Sequence, residues 1–322
     1  MKKKSETSTG ARNSSIPEQG YGEKEMTEEA QRPMKKHRRA LRVFLRACLI
    51  LASAVLVCAA LVFLYAGYTR THYEITFYQE TSKKVSRNLR LVVLSDIHNR
   101  EYGKDNETLI SDVKALNPDL VLFAGDMINS WSDDYEPALR LIRALSAEFP
   151  CYGVMGNHEN QRIYQSGDTR LPGLLEEAGL ILLRNRSETM TIGTDKIQLI
   201  GVEGTSGGFE EYGGRAAMDS TPIDPGAYCI VMTHIPILFD HQLSDYKFDL
   251  GIAGHTHGGL VNLPHFGGLY SDEEGFFPTY YAGKYTLEQQ QSLLISRGLG
   301  DSRSIPRINN MPELMVIDIN WF

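Results

Sequence analysis

Five apolar runs of strand length in this chain end abruptly on a polar corner. Residues 91–94 run into Ser95-Asp96-Ile97-His98, 120–124 into Gly125-Asp126, and 152–155 into Gly156-Asn157-His158-Glu159. Residues 227–232 run into Thr233-His234, and 250–253 into Gly254-His255-Thr256-His257-Gly258-Gly259. Short, continuously apolar runs are what strands buried on both faces look like, and further ones stand at 197–202, 293–296 and 314–319. Helical patterns at 106–116 and 137–147 separate the first three strands, with another at 171–178. Strand and helix in alternation demand crossover connections, hence a parallel sheet covered by helices. After residue 180 the spacing changes: 190–192, a Gly193-Thr194-Asp195 turn and 197–202 read as a hairpin, so a second, more antiparallel sheet is expected to stack on the first. The polar corners fall at C-terminal strand ends, the rim where open α/β sheets place their sites, and five of the nine histidines occupy them.

Taken singly, each corner has a plain structural reading: Gly-Asp after a strand is a turn, and His255 and His257 are polar loop residues. Together and in order, carboxylates, an amide oxygen and imidazoles form a mixed hard and borderline donor set that suits Mn, Fe or Zn rather than Ca. Thiolates take no part. Gly125, Gly156 and Gly254 leave space for sharp turns beneath such a centre.

The ordered set Asp96-x-His98, Gly125-Asp126, Gly156-Asn157-His158-Glu159, His234 and Gly254-His255-x-His257 resembles the calcineurin-like metallophosphoesterase superfamily over residues 91–259. The run Gly254-His255-Thr256-His257-Gly258-Gly259 and the tail Ser296-Arg297-Gly298-Leu299-Gly300, Pro306-Arg307 and Pro312-Glu313-Leu314 are similar to its membrane-associated YaeI/YkuE-like phosphoesterase branch. The resemblance implies an α/β fold, a four-layer αββα sandwich with two mixed β-sheets, holding two divalent metal ions. Carried over by position, it puts Asp96, His98 and His257 on the first ion, Asn157, His234 and His255 on the second, and Asp126 between them. A shared carboxylate holds two cations ~3.5–4 Å apart, and a hydroxide between them, formed at neutral pH because the metals depress its pKa, attacks phosphorus in line. The cations also neutralise the phosphoryl oxygens. His158, beside a ligand but not matched to one, is the catalytic residue this implies: it stabilises the transition state or protonates the leaving oxygen, with a structural turn histidine as the alternative. Glu159 is expected to support ligands rather than react. Protein serine/threonine phosphatases of the superfamily carry Val-Asp-Arg-Gly at the second motif, whereas Met127-Ile128-Asn129-Ser130 follows here. The arginine that clamps a phosphoprotein is missing, so that substrate class ranks low, and Asn129 either touches substrate or holds the loop.

Ahead of this domain, residues 1–34 are rich in Ser, Thr, Glu, Lys and Gly and carry too little apolar surface to offset the entropy of ordering. Residues 1–46 are expected to be a disordered basic cytoplasmic tail. Residues 47–68 contain no charge, and 22 residues at a helical rise of ~1.5 Å match a hydrocarbon core of ~30 Å, so a transmembrane helix is expected. Lys35, Lys36, His37, Arg38, Arg39, Arg42 and Arg46 precede this span and only Arg70 follows it at once. The positive-inside rule then places residues 74–322, one domain of about 250 residues, outside the cytoplasm. Other readings fit less well. The span is long for a signal peptide's apolar region of ~7–15 residues, Val57 is bulky for lipoprotein processing at Cys58, and Ala40-Leu41-Arg42 suits a twin-arginine signal poorly.

A net charge of −7, with Lys and Arg clustered only in the first 46 residues, argues against a nucleic-acid partner. Four cysteines are too few for a disulfide framework, and Cys151 and Cys229 read as buried thiols. The expected function is a membrane-anchored hydrolase acting on a phosphorylated small-molecule, lipid or cell-wall substrate. One alternative is a lipid-linked pyrophosphatase like a UDP-2,3-diacylglucosamine hydrolase, which needs the opposite topology for a cytoplasmic donor. Another is a catalytically silent, metal-stabilised ectodomain that binds wall or lipid polymers, although His158 beside every matched ligand argues against silence. Tyr270, Phe276, Phe277, Tyr280, Tyr281 and Tyr285 form either hairpin packing or an apolar lip beside the site.

Overall fold

The computed structural model describes residues 28–205, 208–301 and 305–322. The first 27 residues of the expected tail lie outside the described residues, but its remainder differs from the expectation: it is helical, because α1 (Glu28–Thr69) starts well ahead of the apolar stretch. Ala, Leu, Lys and Arg are good helix formers, so a helix seeded in the apolar stretch propagates back through the basic one. α1 passes from an N-terminal unit, Met1–Cys58, into a second unit, Ala59–Phe322. The large apolar side chains from Leu49 to Leu64 are exposed, and by length and composition the helix is able to cross a membrane, as a signal sequence also is.

The chain then forms β1 (Glu74–Ser82), β2 (Leu89–Leu94), α2 (Glu107–Leu116), β3 (Leu120–Phe123), α3 (Glu136–Ser146), β4 (Cys151–Gly153), α4 (Asn157–Tyr164), α5 (Leu171–Glu177) and β5 (Ile181–Leu182). β6 (Arg186–Ile192) and β7 (Asp195–Gly201) make the expected antiparallel hairpin, with Met190 opposite Ile197. α6 (Gly214–Ser220), β8 (Tyr228–Met232), α7 (Leu238–His241) and β9 (Leu250–Ala253) follow. Two small hairpins, β10 (Asn262–Leu263) with β11 (Gly267–Gly268) and β12 (Tyr270–Ser271) with β13 (Gly275–Phe276), precede β14 (Gly283–Thr286), β15 (Ser292–Ile295) and β16 (Glu313–Trp321).

Two six-stranded mixed sheets result, ordered β1-β16-β2-β3-β4-β5 and β14-β15-β9-β8-β7-β6. In the first, β2 to β5 run parallel and β16 lies antiparallel to β2. The second is less antiparallel than the hairpin led us to expect. β7, β8, β9 and β15 run parallel, and only the edge pairs β6–β7 and β14–β15 are antiparallel. The long connections through α6 and α7 supply the crossovers that parallel pairing needs.

Side-chain alternation turns these sheets into four layers. In β2, Val92 and Leu94 face outward onto Leu109 of α2, Leu139 of α3 and Leu175 of α5, while Leu91 and Val93 face inward and share a core with Leu199, Ile230 and Ile252 of the second sheet. In β8, Ile230 and Met232 face that shared core, and Cys229 and Val231 face Leu238 and Phe239 on the far side. A continuous apolar run fills both phases of the two-residue period, and each fully buried Val or Leu contributes roughly 1.5–3 kcal/mol.

Candidate metal centre

The strand ends deliver the polar corners through backbone that ordinary residues avoid. Asp96, His98, Asp126, His255 and His257 all have positive φ, at 51°, 49°, 53°, 74° and 47°. Each such residue costs on the order of 1–3 kcal/mol, and strain of this kind persists only where the surroundings enforce it, as functional sites do. Of the three glycines expected to ease the turns, only Gly125 has positive φ, at 92°. Gly156 and Gly254 serve instead by close approach: a Cβ on Gly156 would lie 2.1 Å from Asp126 Oδ1, and one on Gly254 would lie 2.4 Å from Asp96 Oδ2.

All seven expected ligands lie in one cluster. His257 Nε2 is 3.3 Å from His98 Nε2 and 3.6 Å from Asp96 Oδ1. Asp126 Oδ2 stands 3.7 Å from His98 Nε2 and 3.1 Å from His234 Nε2, so it faces both sides of the group. His255 Nδ1 is 2.8 Å from Asn157 Oδ1. Asp96, His98 and His257 form one tight set of donors; Asp126, His234 and His255 form another. A third combines His98, Asp126 and His158. His234 Nε2 and His255 Nε2 are buried, and each faces a carboxylate oxygen, Asp126 Oδ2 at 3.1 Å and Glu273 Oε1 at 3.5 Å, so both nitrogens and their acidic neighbours converge as potential ligands. The donor set therefore fits divalent metals.

Burial and charge set the protonation of the metal-free group. Burial pushes His98 and His257 down to about 3, leaving neutral imidazoles. Burial opposes a charge on His234 as well, but the Asp126 and Asp96 carboxylates outweigh it and raise His234 to about 10. Asp126 is held well below the usual carboxylate range, because His234 overcomes its desolvation.

The surroundings tie these groups down. His234 Nδ1 lies 2.7 Å from the Ala124 carbonyl, and the Ser95 hydroxyl donates to Asp96 Oδ2 at 2.5 Å. α4 begins at Asn157 itself, and its first turn points amides at the centre: the His158 N–H donates to Asp126 Oδ1 at 2.8 Å. Glu159 accepts from the Gly156, Asp126 and Ile128 amides at 2.8, 2.9 and 2.9 Å, capping α4 and stapling two ligand loops together. Burial, and next the nearby Asp126, raise its carboxyl to about 7. Ser130 N–H donates to His158 Nδ1 at 3.0 Å.

The cluster opens into a pocket that Asn157, His158, His255 and His257 line together with Trp131, Gln161, Leu260, Tyr270 and Asp272. Among the described residues, its lining includes no Lys or Arg. Asn129 holds the loop, since its Oδ1 accepts from Trp131 N–H at 3.0 Å. Trp131 and Glu273, whose Oε1 is 3.5 Å from His255 Nε2, were not singled out from the sequence, and no spacing signal marks them. The late aromatic cluster divides: Tyr280 and Tyr285 pack on the outer core of the second sheet, whereas Phe276 and Phe277 are 72% and 56% exposed.

The family model of the calcineurin-like phosphoesterases matches residues 89–259. Among similar proteins, the Bacillus subtilis metallophosphoesterase YkuE is 28% identical over 238 residues, covering 71% of this chain and 78% of YkuE. The UDP-2,3-diacylglucosamine pyrophosphatase LpxG of Chlamydia trachomatis is 25% identical over 284 residues, covering 71% of this chain and 83% of LpxG. The Escherichia coli phosphodiesterase YaeI is 23% identical over 239 residues, covering 71% and 82%. The family match spans more than half of the chain, and with this fold and this cluster of Asp and His donors the protein belongs to the calcineurin-like phosphoesterases, as a hydrolase of phosphoester bonds.

Proposed function

We propose that the protein is a membrane-anchored phosphoesterase that works with two divalent ions and cleaves a phosphoester or pyrophosphate bond. The observation that carries this reading is the meeting of Asp96, His98, Asp126, Asn157, His234, His255 and His257, from five strand ends, beside one pocket. Asp96, His98 and His257 would hold the first ion and Asn157, His234 and His255 the second, with Asp126 available to both. Two such ions supply Lewis-acid neutralisation of the phosphoryl oxygens and draw a nucleophile from water at neutral pH.

The role of His158 follows from its hydrogen bond. Ser130 N–H donates to Nδ1, so the neutral ring carries its hydrogen on Nε2, the nitrogen left for the pocket. An imidazolium would have to break that bond, because both of its nitrogens are donors. His158 therefore acts as a neutral donor to a phosphoryl oxygen, stabilising charge in the transition state, in preference to acting as the acid for the leaving oxygen.

Trp131, Leu260 and Tyr270 around the pocket favour a substrate with a ring or an apolar portion next to phosphorus. A lipid-linked pyrophosphate is the second reading, and exposed Phe276 and Phe277 on the neighbouring hairpin favour it. The basic residues ahead of the span at 47–68, with only Arg70 directly after it, support a domain outside the cytoplasmic membrane. Full-length protein in detergent, loaded with Mn, Fe or Zn and assayed on phosphomonoesters, phosphodiesters and lipid pyrophosphates, tests the chemistry: at least one class should be hydrolysed. Loaded protein inert on every class would sink the reading. Protease added to intact spheroplasts should digest the chain beyond Tyr68 and spare the N-terminal tail; the reverse pattern places the site in the cytoplasm.

A further inference from the structure

The described parts of the tail, 296–301 and 305–313, legible in sequence only as part of a resemblance, pack against the centre on one side. After β15 the chain turns back over the Asp96 corner: Leu299 N–H donates to Ser95 O at 2.9 Å and Gly300 N–H to Asp96 O at 2.5 Å. The approach is so close that a Cβ on Gly298 would lie 2.6 Å from Asp96 Cβ, and one on Gly300 would lie 2.1 Å from Ile97 O. Arg307, with no exposed surface, locks this strap. Its Nε donates to Asp301 Oδ1 at 2.6 Å, its Nη1 to Arg297 O at 2.7 Å and its Nη2 to Gly300 O at 2.6 Å. The same Nη2 stands 3.2 Å from His257 Nδ1, which packs the guanidinium against that edge of the ring, while Nε2 lies on the side of Asp96 and His98. Asn310, also buried, completes the grip by donating from Nδ2 to His257 O at 2.7 Å and to Leu260 O at 3.1 Å.

The strap thus holds Asp96 and His257, two of the three donors assigned to the first ion. Among the described residues, the hydrogen bonds of the strap reach no side chain of Asn157, His234 or His255. We infer that the strap is a clamp for the first metal alone, with Arg307 and Asn310 as positioning residues that fix Asp96 and His257 against each other. The charge buried at Arg307 is matched by Asp301 and two carbonyls, so the guanidinium is a built element of the strap, and removing it leaves those acceptors unpaired. Groups that orient metal ligands in this way are worth typically 10–100-fold in metal affinity.

This inference rests on the two-ion reading above, and its test separates the two. Mn is titrated into chelator-treated full-length protein in detergent, with bound metal and the electron paramagnetic resonance spectrum followed. The wild type should take up two ions and give a coupled dinuclear signal. Asn310→Ala and Arg307→Lys should retain one ion at wild-type affinity and bind the other at least tenfold more weakly, giving an uncoupled signal at intermediate loading. Where Arg307→Lys fails to fold, as judged by thermal unfolding of the metal-free protein, Asn310→Ala carries the test alone. Two ions bound undiminished by a folded variant, or both weakened equally, overturns the clamp. A wild type that binds fewer than two overturns the two-ion reading and the clamp with it.

Discussion

The two sides of the centre are built differently. The side formed by Asp96, His98 and His257, which we propose holds the first ion, is buried and sits under a strap of chain from the C-terminal end. The other side, which we propose holds the second ion, keeps His234 buried but is more open at Asn157 and His255, which are half-buried and line the pocket with His158, where His257 reaches it from the first side. Their electrostatics differ as well, since burial keeps His98 and His257 neutral while Asp126 holds His234 charged in the metal-free protein. The contrast points to a division of labour in which the closed side keeps its ion in place and the open side meets the substrate.

The largest effect should come from the residue on the seam. Asp126→Asn is expected to lose more activity than the roughly 10²–10³-fold that removal of one transition-state donor costs, and more than Asp96→Asn at matched metal loading. Equal losses at full occupancy would break the seam assignment. On the open side, His158→Ala should lose about 10²–10³-fold in kcat with both ions retained. A neutral donor helps every ester alike, so p-nitrophenyl phosphate and an alkyl phosphate should fall by a similar factor. A much larger loss on the alkyl ester would make His158 the leaving-group acid instead.

A pH titration of stability sharpens the electrostatic contrast. His98 and His257, pushed down to about 3, stay neutral in the fold, whereas the unfolded chain protonates them below about 6.5, so stability falls as the pH drops below that value. His234, raised to about 10, contributes fully below 6.5 and loses its contribution as the pH rises toward 10. Unfolding midpoints measured in chelator should therefore peak near pH 6.5 and decline on both sides. A curve that climbs steadily through neutrality would contradict the charged His234. The smallest effect is expected from Glu159→Gln, which keeps the shape but replaces one of two acceptor oxygens, Oε2 serving the Gly156 and Asp126 amides or Oε1 serving the Ile128 amide. Metal affinity should weaken by about tenfold with turnover at saturating metal nearly intact; a collapse of turnover would give Glu159 a direct part in the reaction.

Much of the centre is legible in the sequence because its donors stand next to strands that announce themselves. Residues 91–94 and 250–253 are apolar on both phases, so their ends, and with them Asp96 and His255, are located by pattern alone. Helix α4 is not, since Asn157-His158-Glu159-Asn160-Gln161 is short and polar and has no apolar stripe; its start is set by the Glu159 cap and by the His158 amide, which donates to Asp126. β1, with exposed positions along an edge strand, carries no continuous run either, and its place beside β16 is fixed by pairing with a segment more than two hundred residues away.

What the sequence by itself determined is the inventory: which residues could ligate, in what order, at the ends of which strands, and that an uncharged helix precedes them. These are local properties, carried by residue type and short period. Only the tertiary structure decided that the second sheet is mostly parallel, that Trp131 stands at the mouth of the pocket, that Ser130 sets the His158 hydrogen, and that Arg307 and Asn310 hold His257. Each of those depends on groups brought together across tens of residues, and such contacts leave no periodic trace in the chain because a single side chain, placed once, is all that each of them requires.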